Sequence, residues 1–121
     1  QLLPLSVRGC HAKGYNAISW AIAAVGDFDK NLPPPQQLKA VIKLCAMLVV
    51  YERRPLRYMH IAGHTTDLGP ETSSDPNKHC PGQYMRAAHI VPRVTERLRP
   101  DWRSMTDEEV ACLYKLGGYV V

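Results

Sequence analysis

The chain has 121 residues, of which 45% are apolar and 21% charged, and 15 Lys and Arg stand against 11 Asp and Glu for a net charge of +4. Those fractions exclude collagen-like and wholly disordered chains, and the length supports one hydrophobic core, hence one domain. The mild basicity permits an anionic partner. No basic run is interleaved with aromatics, which are only 7% of residues, so no nucleic-acid partner is expected.

The longest apolar run, residues 40–51, is broken by Lys43 and falls short of the ~18–20 residues of a membrane span. No basic segment precedes an apolar one, so no signal peptide is visible, and the start at Gln1 reads as a processed product or a fragment. The cysteines stand at 10, 45, 80 and 112 with no Cys-x-x-Cys pair, which excludes a zinc ribbon or a thioredoxin motif.

Residues 1–8 read as extended. Gly9-Cys-His-Ala-Lys-Gly-Tyr-Asn16 is a loop with two glycines. Residues 17–25 are small or apolar at both parities, the pattern of a strand covered on both faces. After a turn at 26–31, Leu38, Val41, Ile42, Cys45, Leu48 and Val49 form a helical stripe over 35–52, expected to pack on the 17–25 strand, with Cys45 a buried thiol. A second strand is expected over 56–62, then a long polar loop over 63–82 of the kind that usually carries function. Residues 83–98 are helical in pattern, with Met85, Ala88, Val91 and Val94 in line and Pro92 as a kink. Thr106 and Glu109 form a capping box that opens a last helix to about 115. The order predicts an α/β fold with a small mixed sheet packed by helices.

The loop after the second strand concentrates the chemistry: His64, Asp67, Asp75, Lys78, His79 and Cys80. Neutral imidazole and thiolate are zinc ligands, and a catalytic zinc takes three protein ligands plus water. His64 and Cys80 are the leading pair, with His79 and Asp75 as rivals and His60 on the same parity as His64. A polar surface loop around a half-buried cysteine is the plain alternative. Lys78 could stabilise a developing oxyanion or be an ordinary solvated lysine. Gly9 and Gly14 have phosphate-loop spacing, but Tyr15-Asn16 replaces the required Lys-Ser/Thr. There is no Gly-x-Ser-x-Gly elbow.

Several segments in consistent order over residues 1–90 resemble the type 2 N-acetylmuramoyl-L-alanine amidases and their relatives, the peptidoglycan recognition proteins and phage amidase endolysins. They are Gly9-Cys-His-Ala-Lys-Gly-Tyr-Asn16, Val25-Gly26, the Pro-Pro-Pro-x-Gln-Leu helix start, Ile61-Ala-Gly-His64-x-x-Asp67 and Lys78-x-Cys80-Pro81-Gly82. The resemblance implies zinc-dependent hydrolysis of the muramoyl–alanine amide of peptidoglycan. His64 and Cys80 would be metal ligands, Lys78 catalytic, and His11 and Asn16 would line the substrate groove.

The chain departs from the family at Trp20, where a small residue is common, and in the length of the loop from His64 to Cys80. The family's first zinc histidine and catalytic tyrosine would fall upstream of Gln1, so the amidase fold is expected to be incomplete at its N-terminus. The resulting expectation is a partial amidase-like domain over 1–99 and a helical extension over 100–121. The protein would act as a monomer on the bacterial cell wall and be phage-encoded or secreted. The alternatives are a non-catalytic peptidoglycan-binding module and an inactive fragment lacking one zinc ligand.

Overall fold

A computed structural model describes residues 6–52, 61–98, 106, 108 and 109. The chain forms two compact units, Gln1–Leu32 with Ala62–Arg86, and Pro33–Ile61 with Ala87–Val121. Among the described residues the elements are α1 (Pro35–Glu52), α2 (His64–Leu68) and α3 (Ala87–Arg97), with a 3-10 turn at Pro70–Thr72. The predicted α/β fold is therefore corrected: no strand occurs among the described residues. Residues 19–25 have no regular structure, with Ile18 78% and Val25 90% exposed. Their side chains suit a strand, but a strand exists only where a neighbour takes its backbone groups. The second expected strand falls mostly on residues 53–60, outside the described residues.

In the helical unit α1 has the predicted bounds. Pro35 suits the first helical position, where an N–H would have no partner, and Leu38 N–H donates to the Pro34 carbonyl (3.0 Å). The buried face differs from the predicted stripe. Ile42, Cys45, Ala46 and Val50 are buried, whereas Leu38, Val41, Leu48 and Val49 are half-buried. The reason is the partner: α1 packs on α3, and a helix covers a narrower band than a sheet would.

Helix α3 starts four residues later than predicted and runs unbroken through Pro92. That proline removes one helical hydrogen bond. The buried face is Ala87, Ile90 and Val94 rather than Ala88, Val91 and Val94. The expected last helix lies almost wholly outside the described residues. Its capping box does form: Glu109 N–H donates to Thr106 Oγ1 (3.2 Å) and Thr106 N–H to Glu109 Oε1 (3.1 Å).

The other unit is built on loops. Phe28 and Met85 are buried, and the 27–29 segment docks on 82–84. Tyr84 N–H donates to the Phe28 carbonyl (2.9 Å) and Gln83 N–H to Asp29 Oδ1 (2.9 Å). Gly82 permits this approach. It has φ +101°, and a Cβ there would lie 2.5 Å from the Phe28 carbonyl carbon. The predicted long loop is not structureless, because α2 and the 3-10 turn fold it back on itself.

Candidate functional site

His64 is the first residue of α2. The helix has no side-chain cap at Gly63; instead Gly63 N–H donates to the Asp67 carboxylate (2.5 Å), and that negative charge suits the first turn. A Cβ on Gly63 would lie 2.7 Å from Pro81 Cδ, so glycine lets the start of α2 press against the segment that carries Cys80.

Two buried threonines tie the site together. The Thr72 carbonyl accepts from Lys13 N–H (2.9 Å) and lies 3.0 Å from His64 Nε2. A carbonyl can only accept, so the His64 proton is assigned to Nε2, which leaves the Nδ1 lone pair for a ligand. Metal-binding histidines are commonly held in this way, by an N–H bonded to a carbonyl. Thr72 thus connects the 9–16 loop to His64. Its own hydroxyl donates to the Gly69 carbonyl (2.6 Å), with the His64 carbonyl at 3.3 Å.

Thr65 performs the same service for Cys80. Its Oγ1 donates to the Lys78 carbonyl (2.8 Å) and accepts from Cys80 N–H (2.8 Å). The Thr65 and Thr66 N–H groups donate to the Cys80 carbonyl (3.0 and 3.2 Å). The backbone of Cys80 is therefore held to the residue next to His64. Cys80 is exposed and free, and a cis peptide joins it to Pro81. Protein surrounding the thiol raises its pKa, and the Lys78 charge opposes that shift.

The two expected groove residues brace their own loop. Asn16 Oδ1 accepts from His11 N–H (2.8 Å) and Ala12 N–H (2.9 Å). His11 Nε2 lies 2.9 Å from Ser19 Oγ, whose proton goes to the Tyr15 carbonyl (2.7 Å). Nε2 of His11 is accordingly the donor, which leaves Nδ1, beside Gly9, as the acceptor. The rival ligands are engaged elsewhere. His79 Nδ1 lies 3.8 Å from Asp29, and Asp75 accepts from Asn77 N–H (3.0 Å). His60 is outside the described residues.

Sequence reasoning missed Thr65 and Thr72. Thr65 fills an unspecified position of the His64 motif and Thr72 lies outside every motif, and nothing in spacing marks a threonine as a buried clasp.

A family model for N-acetylmuramoyl-L-alanine amidase matches residues 1–83. The chain belongs to that family, whose members act on an amide of peptidoglycan and hence on the cell wall. No curated protein and no solved structure matches the chain. Among the described residues no helix is long and apolar enough to cross a membrane.

Proposed function

We propose that this chain is the core of a zinc-dependent, monomeric amidase of the phage endolysin type, which cleaves the muramoyl–alanine amide and lyses the wall. We assign residues 1–99 to the amidase-like portion and 100–121 to an extension. The carrying observation is the His64 Nε2 bond to the Thr72 carbonyl, which leaves the Nδ1 lone pair for a ligand on a segment clasped to Cys80.

Imidazole nitrogen and thiolate sulfur are the donor types zinc prefers. Among the described residues no three His, Cys, Asp or Glu side chains are grouped to hold a metal; His64 and Cys80 are the two ligands we assign. When bound, zinc polarises the scissile carbonyl and lowers the pKa of water. The chain's own contribution is to fix the His64 tautomer through Thr72 and to seat Cys80 through Thr65. Lys78 supplies positive charge where the oxyanion develops.

Zinc titration with metal analysis tests the ligands. His64→Ala and Cys80→Ser should each weaken binding by more than the roughly 10–100-fold that loss of an outer partner costs. With a partial ligand set, the 121-residue chain should release stem peptide from purified peptidoglycan only feebly, even with added zinc. Full-strength, chelator-sensitive turnover would overturn the ligand assignment. Binding of wall fragments without turnover would favour the recognition module.

A further inference from the structure

The segment that carries Cys80 has two flanks. Thr65, on α2, holds one of them. The other faces the turn at 27–31, which comes from a distant part of the chain. Phe28 is buried and anchors that turn. Within it Asp29 N–H donates to Asp27 Oδ1 (3.3 Å) and Asn31 N–H to the Asp27 carbonyl (3.0 Å). The turn carries its own hydrogen bonds, so it can serve as a fixed point.

Asp29 is the residue of this turn that reaches the cysteine segment. One carboxylate oxygen, Oδ1, accepts from Gln83 N–H (2.9 Å), and the Asp29 carbonyl accepts from Gln83 Nε2 (2.6 Å). The other oxygen, Oδ2, lies 3.8 Å from His79 Nδ1. His79 precedes Cys80 and Gln83 follows it, so a single carboxylate faces both ends of the stretch that contains the sulfur. Between those ends Pro81 has a fixed φ, and Gly82 presses on the Phe28 carbonyl. Fixing Gln83 therefore constrains Cys80.

We propose that Asp29 is a positioning residue for Cys80. The inference rests on the assignment of Cys80 as a metal ligand and adds the group that sets the place of its sulfur. The bond to Gln83 N–H carries the effect. It needs an oxygen acceptor at this point, not a charge, and the exposed contact with His79 contributes little. Asp29 acts through the backbone of residues 80–83 and not as a ligand.

The test uses the full chain with Asp29→Ala, Asp29→Asn, Gln83→Ala and Cys80→Ser. Each is read by amide hydrogen exchange in the metal-free protein and by titration with zinc chloride. In Asp29→Ala, Gln83 N–H should exchange about tenfold faster, the loss of one hydrogen bond. Cys80 N–H should also exchange faster, with α1 and α3 unchanged. Zinc affinity should fall about tenfold, as on loss of a group that orients a ligand. Asp29→Asn keeps an oxygen acceptor and should restore both readouts. Gln83→Ala removes only the bond from Nε2, so it should move both readouts the same way by less. It decides the matter if Asp29→Ala does not fold. Cys80 exchange at the native rate in folded Asp29→Ala would overturn the inference. So would an Asp29→Asn variant that behaves like Asp29→Ala, or zinc affinity unmoved in Asp29→Ala while Cys80→Ser lowers it. Failure of the metal reading looks different, because Cys80→Ser would then bind zinc as the native chain does. In that outcome Cys80 exchange alone decides whether Asp29 positions the segment.

Discussion

The two units are held by different forces. In the helical unit the buried residues among those described are all apolar: Pro33, Ile42, Cys45, Ala46, Val50, Ala87, Ile90 and Val94. In the loop unit Ala12, Phe28 and Met85 are joined by two buried threonines, and the contacts that order the chain are hydrogen bonds donated by the Thr65 and Thr72 hydroxyls and accepted by Asn16 and Asp29 Oδ1. Burial of apolar area is tolerant of small shifts, whereas a hydrogen-bonded clasp requires each donor and acceptor in place. The loop unit is accordingly the one that can aim a histidine and a cysteine, and the helical unit is the one whose stability follows from side-chain volume.

The sharpest way to break this comparison is in the helices. Ile42→Ala should cost about 2–5 kcal/mol, as for other buried aliphatic truncations. Leu48→Ala, at a half-buried position, should cost clearly less. Chemical denaturation of the two variants checks the order. Equal losses would show that the predicted stripe, not the observed one, is the buried face.

That rotation of the stripe shows what was legible in the sequence. The bounds of α1 were readable because Pro33, Pro34 and Pro35 mark its start and its apolar residues recur at helical spacing. Which edge of the stripe is buried depends on the partner, and Ala46, fully buried, carries no hydrophobic signal large enough to announce it. Residues 17–25 show the opposite failure. Composition reads the preference of each residue for a strand but not the presence of a neighbour to pair with. At the candidate site the histidine and cysteine were legible as residue types in a familiar order. The clasps that hold them were not, because a backbone carbonyl such as that of Thr72 has the same chemistry at every position and acquires a role only through the fold.

The next effect belongs to Cys45. Burial pushes its thiol up to about 11 from the ordinary 9.0. The neutral form is favoured in the folded state, so its contribution to stability is whole below pH 9 and is lost as pH rises from 9 through 11. Two pH units correspond to roughly 2–3 kcal/mol. Denaturation midpoints measured between pH 8 and 11 should fall in the native protein and fall less in Cys45→Ala. Parallel curves would mean that the thiol is solvated.

The smallest expected effect on global stability is in the loop unit, at Thr65→Val. Valine keeps the shape and removes the hydroxyl. The Lys78 carbonyl loses its donor and Cys80 N–H its acceptor, while the N–H groups of residues 65 and 66 still reach the Cys80 carbonyl. Leaving such groups unsatisfied costs about 1–3 kcal/mol, less than the truncation of Ile42 at its upper range. The informative readout is local: amide hydrogen exchange at Cys80 should accelerate, while exchange within α1 and α3 stays unchanged. Zinc affinity should fall with it if Cys80 is a ligand, because a thiolate on a loosened backbone must be ordered again when the ion binds. Faster exchange at Cys80 with zinc affinity intact would leave the clasp standing as a structural device and remove the cysteine from the metal site. Acceleration spread equally through both helices would mean that the two units do not differ as argued, and that one cooperative core holds the chain.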